Sequence, residues 1–338
     1  MKVAVRLGVI LMPAALGGCV AAAALAPVVA SSTAIVRSRM QEAQVKRRAP
    51  PATPVASDPA PPQALRIGDA PALPPASTGT MPAGMQYLYG SGEAVGASVQ
   101  AYQALARYLR DQAAVRSGLR QLVLADGATL DAPRFEPCGP KPKAVVLDID
   151  ETALLNLGYE ADEARRGSGY DQARWERWER TGADKVVAVP GAKAALDAAR
   201  AAGITVIFNS NRANANAAAT EAALTHAGLG PARHGTTLWL RGDDGGGSGK
   251  DDRRWAIASG YCVVALVGDQ LGDFSDLFNV AGLTPSTRRA LAGGPALARL
   301  WGNGWFVLPN PVYGTALKGD ADEIFPRDTR WTDPAQEK

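Results

Sequence analysis

The stretch VVLDIDETALLN, from Val145 to Asn156, places Asp148, Asp150 and Glu151 almost side by side directly after an apolar run. Like charges this close repel one another and lose hydration when enclosed, so the crowding calls for a counter-charge. A hard divalent cation supplies it, since Mg²⁺ prefers oxygen ligands and binds through a few carboxylates, waters and substrate phosphate. Matching parts follow other apolar runs: NSNR (Asn209 to Arg212) and GDQLGD (Gly268 to Asp273), with Lys250 before the helix that leads to the latter. Carboxylates, a hydroxyl with amides and a lysine make a set suited to phosphate.

The chemistry assigns a role to each. Asp148 and Asp269 are the natural direct metal ligands, and Asp273, one helical turn on, supports them. With the repulsion relieved, Asp148 is free to attack phosphorus and form an aspartyl-phosphate. Asp150, two residues along and on the same strand face, is placed to protonate the leaving oxygen and later to activate water. Ser210 and Lys250, with Asn211 beside them, are the phosphate-binding candidates. Glu151 is left without a role.

These residues need a scaffold that gathers strand ends. After Cys138 the runs AVVLDID, ITVIFNSN, TTLWL, CVVALVGD and WFVLPN alternate with helical segments such as AKAALDAARAAG and NAAATEAALTHAG. Continuous rather than alternating hydrophobicity predicts strands covered on both faces, hence a parallel sheet in an α/β domain, where ligands bind beyond the carboxyl ends of the strands. Upstream, Val99, Tyr102, Leu105, Leu109 and Ala113 fall at helical spacing, predicting an amphipathic helix between Gly96 and Leu124. The preceding GSGEAVG lacks both the strand and the glycine spacing of a dinucleotide fingerprint and reads as a flexible lead-in.

DIDET, NSNR, Lys250 and GDQLGD together resemble the four motifs of the haloacid dehalogenase (HAD) superfamily of phosphohydrolases. More narrowly, DIDETALLN, WERW (Trp175 to Trp178), VGDQLGDF and WFVLPNPVYG are similar to the class C acid phosphatases, outer-membrane lipoproteins that include 5′-nucleotidases, over roughly Met85 to Gly319. The resemblance implies a HAD-like Rossmannoid parallel sheet with helices on both faces and a small helical accessory region. It further implies Asp148 as phosphorylated nucleophile, Asp150 as acid/base that lends its backbone carbonyl to the metal, and Ser210, Lys250 and Asp269 in the remaining motif positions. Trp175 and Tyr313 match aromatic residues that surround the nucleoside or aryl group. Thr315 and Ala316 stand where relatives often carry a Trp-Glu pair.

Ordinary readings compete at several positions. Trp175 and Trp178 at helical spacing also suit core packing, Asp273 also suits a helix cap, and Arg212 and Arg253 read as surface charges without a catalytic role. The glycine-rich run ending at Gly249-Lys250 is no P-loop, because Asp244 occupies the first glycine position and Asp251 follows the lysine. Arg233-His234-Gly235 matches the start of a histidine phosphatase motif, but Thr236 and Thr237 break it, and His226 is the only other histidine.

At the N-terminus, Lys2 and Arg6 precede an apolar run ending in LGGC (Leu16 to Cys19), which resembles a lipoprotein signal whose cysteine is acylated. An uncleaved membrane helix is the other reading; Pro13, Pro27 and the abundant alanine make it a poor one. Val20 lacks the aspartate associated with inner-membrane retention, so a bacterial envelope protein on the outer membrane, facing the periplasm, is expected. The expected organisation is a signal peptide at 1–18, a lipid-anchored Pro/Ala-rich linker at 19–84, a helical region at 85–137, the phosphatase domain at 138–319 and a tail at 320–338. Besides Cys19 the chain has only Cys138 and Cys262, a disulfide in an oxidising periplasm or else two buried thiols. The net charge of +3, from 36 basic and 33 acidic side chains, gives no bulk case for a nucleic-acid partner. The expected partners are a small phosphomonoester and the membrane, with the oligomeric state open. The function expected is a Mg²⁺-dependent acid phosphatase acting on nucleoside 5′-monophosphates and aryl phosphates; a non-catalytic binding lipoprotein of the same fold is the alternative.

Overall fold

All five continuous apolar runs after Cys138 become neighbours in one sheet. The computed structural model describes residues 81–336; the expected signal segment, Cys19 and nearly all of the linker lie outside the described residues. In chain order the elements are α1 (Ala83–Gly90), α2 (Gly92–Ala114), β1 (Arg120–Leu124), β2 (Phe135–Pro137), β3 (Lys143–Leu147), β4 (Leu154–Leu155), α3 (Leu157–Arg166), α4 (Gln172–Thr181) and β5 (Val187–Ala188). There follow α5 (Ala192–Ala201), β6 (Thr205–Ala213), α6 (Ala217–His226), β7 (Leu238–Arg241), α7 (Asp251–Gly260), β8 (Cys262–Gly268), α8 (Pro285–Gly293), β9 (Trp305–Val307) and α9 (Ala321–Ile324). The main sheet has the order β7-β6-β3-β8-β9, and every pair in it is parallel.

The strands are apolar on both faces because both faces are covered. Val145 and Leu147 join one core with Tyr102, Leu105 and Leu109 of α2 and Ala195, Leu196 and Ala199 of α5. Ala144 and Val146 join a second core with Ile257 of α7, Phe274 and Trp305. The period-2 alternation of a strand therefore feeds two cores, which is what a continuous apolar run encodes.

The region upstream of Cys138 differs from expectation in three ways. GSGEAVG is helical from Gly92, because the Ser91 hydroxyl caps α2 by accepting from the Ala94 N–H at 3.1 Å and Ala94 and Ser98 are buried. The helix stops at Ala114 instead of running towards Leu124: Lys143, at the start of β3, donates to the carbonyls of Gln112, Ala113 and Val115 at 2.7–2.9 Å. That one ammonium satisfies the orphan carbonyls of the helix end and ties α2 to the sheet. Residues 120–124 and 135–137 form an antiparallel strand pair, with Val123 and Leu124 in the second core. α2 contributes Tyr102, Leu105 and Leu109 to the main core.

A smaller insertion lies between β3 and β6: the antiparallel pair β4–β5 with α3 and α4 between its strands. Beyond Gly319, the described part of the expected tail, 320–336, forms α9 and short 3₁₀ turns, and its Trp331 is exposed. Among the described residues no helix is long and apolar enough to cross a membrane.

Cys138 and Cys262 are joined by a disulfide, with Cα atoms 4.7 Å apart and a sequence separation of 124. A cross-link closing so long a loop removes much denatured-state entropy. Replacing both cysteines by alanine is expected to lower unfolding free energy by about 2–5 kcal/mol, read from the urea midpoint; no change in midpoint would contradict this.

Candidate active site

The chain leaves β3 for β6 and β7 on one side and returns to β8 and β9 on the other, so β3 and β8 flank the topological switch point. Crevices open at the carboxyl ends of strands at such a point. Asp148 follows β3 and Asp269 follows β8, and the Asp148 N–H is still in the ladder, donating to the Val267 carbonyl at 3.0 Å. Lys250 arrives from the N-cap of α7. Its ammonium donates to Asp148 Oδ1 and to Asp273 Oδ1, the latter at 2.7 Å. The position of Lys250 is fixed by Asp276, whose carboxylate accepts from the N–H groups of Lys250 and Asp251 at 2.7–2.9 Å. Asp273 is a cap as well as a partner of Lys250, since its Oδ2 accepts from the Gln270 N–H at 2.9 Å.

Asp269 is held by residues that sequence reasoning did not single out. Thr152 Oγ1 donates to its Oδ1 at 2.8 Å, and Asn310 Nδ2 to its Oδ2 at 2.7 Å. Asn310 ends the WFVLPN run, so the strand-end rule that selected the aspartates would have found it too.

Asp150 sits apart from that group. Its carboxylate pairs with Arg212, whose Nη2 and Nε lie 2.7 and 2.9 Å from Oδ1, and Asn156 Nδ2 donates to the same oxygen at 2.9 Å. Arg212 and Arg253 are not surface charges: each is 1% exposed. Arg253 donates to the carbonyls of Ser210 and Gly249 and to Asn211 Oδ1, all at 2.7 Å, which lashes the end of β6 to the glycine-rich loop. A buried guanidinium requires this many acceptors, and only the folded loops supply them. Ser210 is fully buried, with its hydroxyl 3.4 Å from Asp150 Oδ2, while Asn211 lines the cleft and donates to the Ser248 carbonyl at 2.9 Å.

Glu151 takes a structural place. Its φ of 55° is left-handed backbone, rare for a side chain of this size, and it turns the loop after β3. The buried carboxylate accepts from the Asn156 N–H at 2.9 Å, from Asn156 Nδ2 and from the Tyr313 hydroxyl. Tyr313 is thereby tied by its hydroxyl to the loop while its ring lines the cleft. Trp175 also lines the cleft, edge-on to Tyr159 at 4.9 Å between ring centres. Trp178 instead packs inward, and its indole N–H donates to Asn156 Oδ1 at 3.0 Å. His234 lies off the cleft, bound to Asp243 at 2.9 Å, and His226 is exposed.

The resulting cleft has a volume of about 840 Å³, with Asp148, Lys250 and Asp269 at its floor and Trp175, Tyr170 and Tyr313 on its walls. Oxygens of Asp148, Asp269 and Asp273 lie within 4.8 Å of one another. Three buried carboxylates face a single ammonium, so the group has an excess of negative charge, and the all-oxygen donor set fits a hard divalent cation. The Asp150 side chain is not in this trio. Burial, opposed by Lys250 and reinforced by Asp273 and Asp269, pushes the Asp148 carboxyl well above the usual carboxylate range. Burial and then Asp273 push Asp269 up to about 7. Burial and Asp150 push Glu151 to about 8. Burial works against the Lys250 ammonium, but Asp148 and Asp273 outweigh it and hold its pKa above the ordinary lysine value.

The sequence profile of the HAD superfamily, subfamily IIIB (acid phosphatase), matches residues 93–316. Among solved structures, the class C acid phosphatase from Bacillus anthracis is similar at 23% identity and a TM-score of 0.53, covering 74% of this chain and 95% of that one. The same enzyme with tungstate bound is similar at 22% identity and a TM-score of 0.55, with the same coverage. At these identities the two structures establish the shared fold.

The raised carboxyls fix a pH dependence of stability in metal-free protein. Each holds its proton in the folded state to higher pH than in the unfolded chain, where carboxyls titrate near 4. Their contribution is therefore intact below about pH 4 and is lost as pH rises through about 7 for Asp269 and about 8 for Glu151. In EDTA the melting temperature is expected to fall between pH 5 and 8, and less steeply with saturating divalent cation. A melting temperature that rises over this range in EDTA would contradict the assignment.

Proposed function

As a member of the HAD superfamily, subfamily IIIB (acid phosphatase), the chain is a phosphomonoesterase, and we propose that it is a Mg²⁺-dependent one acting on nucleoside 5′-monophosphates and aryl phosphates through an aspartyl-phosphate on Asp148. The observation that carries this reading is the placement of Asp148 at the cleft floor, one carboxylate oxygen held by Lys250 and the other accepting no hydrogen bond among the described residues. The second oxygen is the one available to attack phosphorus.

In this mechanism the bond from phosphorus to the leaving oxygen breaks as the bond to Asp148 forms, and Asp150 gives its proton to the leaving oxygen. In the second half Asp150 takes a proton from water, which hydrolyses the acyl phosphate and restores both carboxyl groups. Lys250 neutralises charge on the transferring phosphoryl group, Asn211 borders that subsite from the end of β6, and Ser210 lies buried behind it against Asp150. Asp148, Asp269 and Asp273 would hold the cation, with the Asp150 backbone carbonyl as the family resemblance implies. When bound, it supplies positive charge against the repulsion between Asp148 and the phosphate. Trp175 and Tyr313 offer flat apolar surface beside the floor, which favours planar leaving groups. A cleft of about 840 Å³ accommodates a nucleotide-sized ligand.

We place the enzyme on the outer membrane, facing the periplasm and anchored through an acylated Cys19, a reading that rests on the LGGC stretch and the Pro-rich segment after it.

Two variants and chelation of the wild type test the chemistry. On an aryl phosphate with Mg²⁺, Asp148→Asn is expected to lose activity by at least ~10³-fold, EDTA to abolish wild-type turnover, and His234→Ala to retain it. Robust turnover by Asp148→Asn, or loss in His234→Ala with EDTA without effect, contradicts the reading. For the anchor, Cys19→Ala is expected to abolish fatty-acid labelling of the protein and release it from the membrane fraction; unchanged labelling contradicts it.

A further inference from the structure

Asp150 lies at the centre of a hydrogen-bond frame that the chemistry above does not require but that bears directly on its proton. Arg212 is buried, and its guanidinium reaches Asp150 Oδ1 through Nη2 at 2.7 Å and Nε at 2.9 Å. The same Nη2 donates to Asn156 Oδ1 at 2.8 Å, and Asn156 returns its amide N–H to Asp150 Oδ1 at 2.9 Å and to both oxygens of Glu151 at 3.2 Å. Trp178 donates to Asn156 Oδ1 at 3.0 Å. The orientation of the Asn156 amide is settled by its neighbours, since its oxygen meets two donors and its nitrogen meets two carboxylates.

The two oxygens of Asp150 are therefore unequal. Oδ1 receives three donors within 2.9 Å, whereas among the described residues Oδ2 has only Arg212 Nε at 3.2 Å and the Ser210 hydroxyl at 3.4 Å. We propose that Arg212 is a positioning residue for phosphoryl transfer: with Asn156 it saturates Oδ1 of Asp150, so that Oδ2 is the atom that carries the proton to the leaving oxygen. The proposal rests on the general-acid reading of Asp150 given above and adds to it the atom, the clamp and a link to the substrate wall. That link is Trp175, whose ring centre lies 5.8 Å from the Arg212 guanidinium carbon. A leaving group seated against Trp175 would thus touch the ring over which Arg212 lies.

The step balances. As the bond between phosphorus and the leaving oxygen breaks, the proton on Oδ2 passes to that oxygen and Asp150 becomes a carboxylate. The positive charge already fixed on Oδ1 by Arg212 stabilises this anion without reorganisation. When water attacks the acyl phosphate, Oδ2 takes the proton back.

A clamp on the acid matters in proportion to how much the leaving group needs a proton. The test is kcat/KM for 4-nitrophenyl phosphate, whose leaving group departs readily as an anion, against glycerol 2-phosphate, whose alkoxide does not. This ratio excludes the later hydrolysis of the acyl phosphate and reports the steps up to departure of the leaving group, so the contrast between the two substrates isolates the need for a proton. Wild type, Arg212→Gln, Arg212→Lys and Asp150→Asn are compared with saturating Mg²⁺, and a thermal melt shows which variants are folded. Arg212→Gln is expected to lose at least ~10-fold more on glycerol 2-phosphate than on 4-nitrophenyl phosphate, a part of the 10²–10⁴-fold that a positioned acid contributes. Arg212→Lys keeps the charge without the fork and is expected to show the same selectivity in smaller measure, which keeps the test decisive if Arg212→Gln does not fold. Equal losses on both substrates, with Asp150→Asn still discriminating between them, would overturn the role of Arg212. Failure of Asp150→Asn to discriminate would overturn the general-acid reading itself, and the proposal with it.

Discussion

Three buried carboxylates, Asp148, Asp269 and Asp273, cluster beside one buried ammonium, Lys250, which bonds Asp148 and Asp273 but not Asp269. No protein leaves such an imbalance in a low-dielectric crevice by neglect, because each uncompensated charge there costs several kcal/mol. The surroundings read as provision for it: Thr152 and Asn310 donate to Asp269, the Gln270 N–H donates to Asp273, and Asp276, from the segment after β8, accepts from the backbone at the start of α7 that delivers Lys250. These contacts come from both sides of the switch point between β3 and β8, which explains why a parallel sheet with two covered faces is the scaffold. The sheet brings distant segments to one rim without spending local sequence on it.

A second carboxylate system lies beside the first, with its own cation. Asp148 and Asp150 are two residues apart, yet one is engaged by Lys250 and the other by Arg212. Dividing the counter-charges in this way holds two neighbouring acids of one loop in different orientations and with different partners. The left-handed turn at Glu151 separates them from the chain that follows, and the Glu151 carboxylate, bound to Asn156 and Tyr313, joins the loop to the cleft wall.

Much of this was legible in the sequence because it is written locally. Five apolar runs gave five strands, and the polar residues after them mark the rim where Asp148, Asn211, Lys250 and Asp269 meet. What sequence did not show depends on partners far along the chain. Arg212 and Arg253 look like surface charges until Asp150, Asn156, Ser210 and Gly249 fold around them, over separations of up to 62 residues. Asn156 and Glu151 matter through their contacts with Trp178 and Tyr313, which no spacing rule encodes. Helix α2 was misjudged at both ends for the same reason: Ser91 is a local cap, but tertiary packing outweighs the glycine cost at its start, and the carbonyls at its end are closed by Lys143 from the next element.

The central claim is that the carboxylate group is built around a cation and carries protons in its absence. Titration calorimetry of Mg²⁺ into metal-free protein near pH 6, repeated in buffers of different ionisation enthalpy, measures the protons exchanged on binding. With Asp269 titrating near 7 and Asp148 raised as well, binding should release on the order of one proton per cation. Binding with no proton release, or with proton uptake, would contradict the claim.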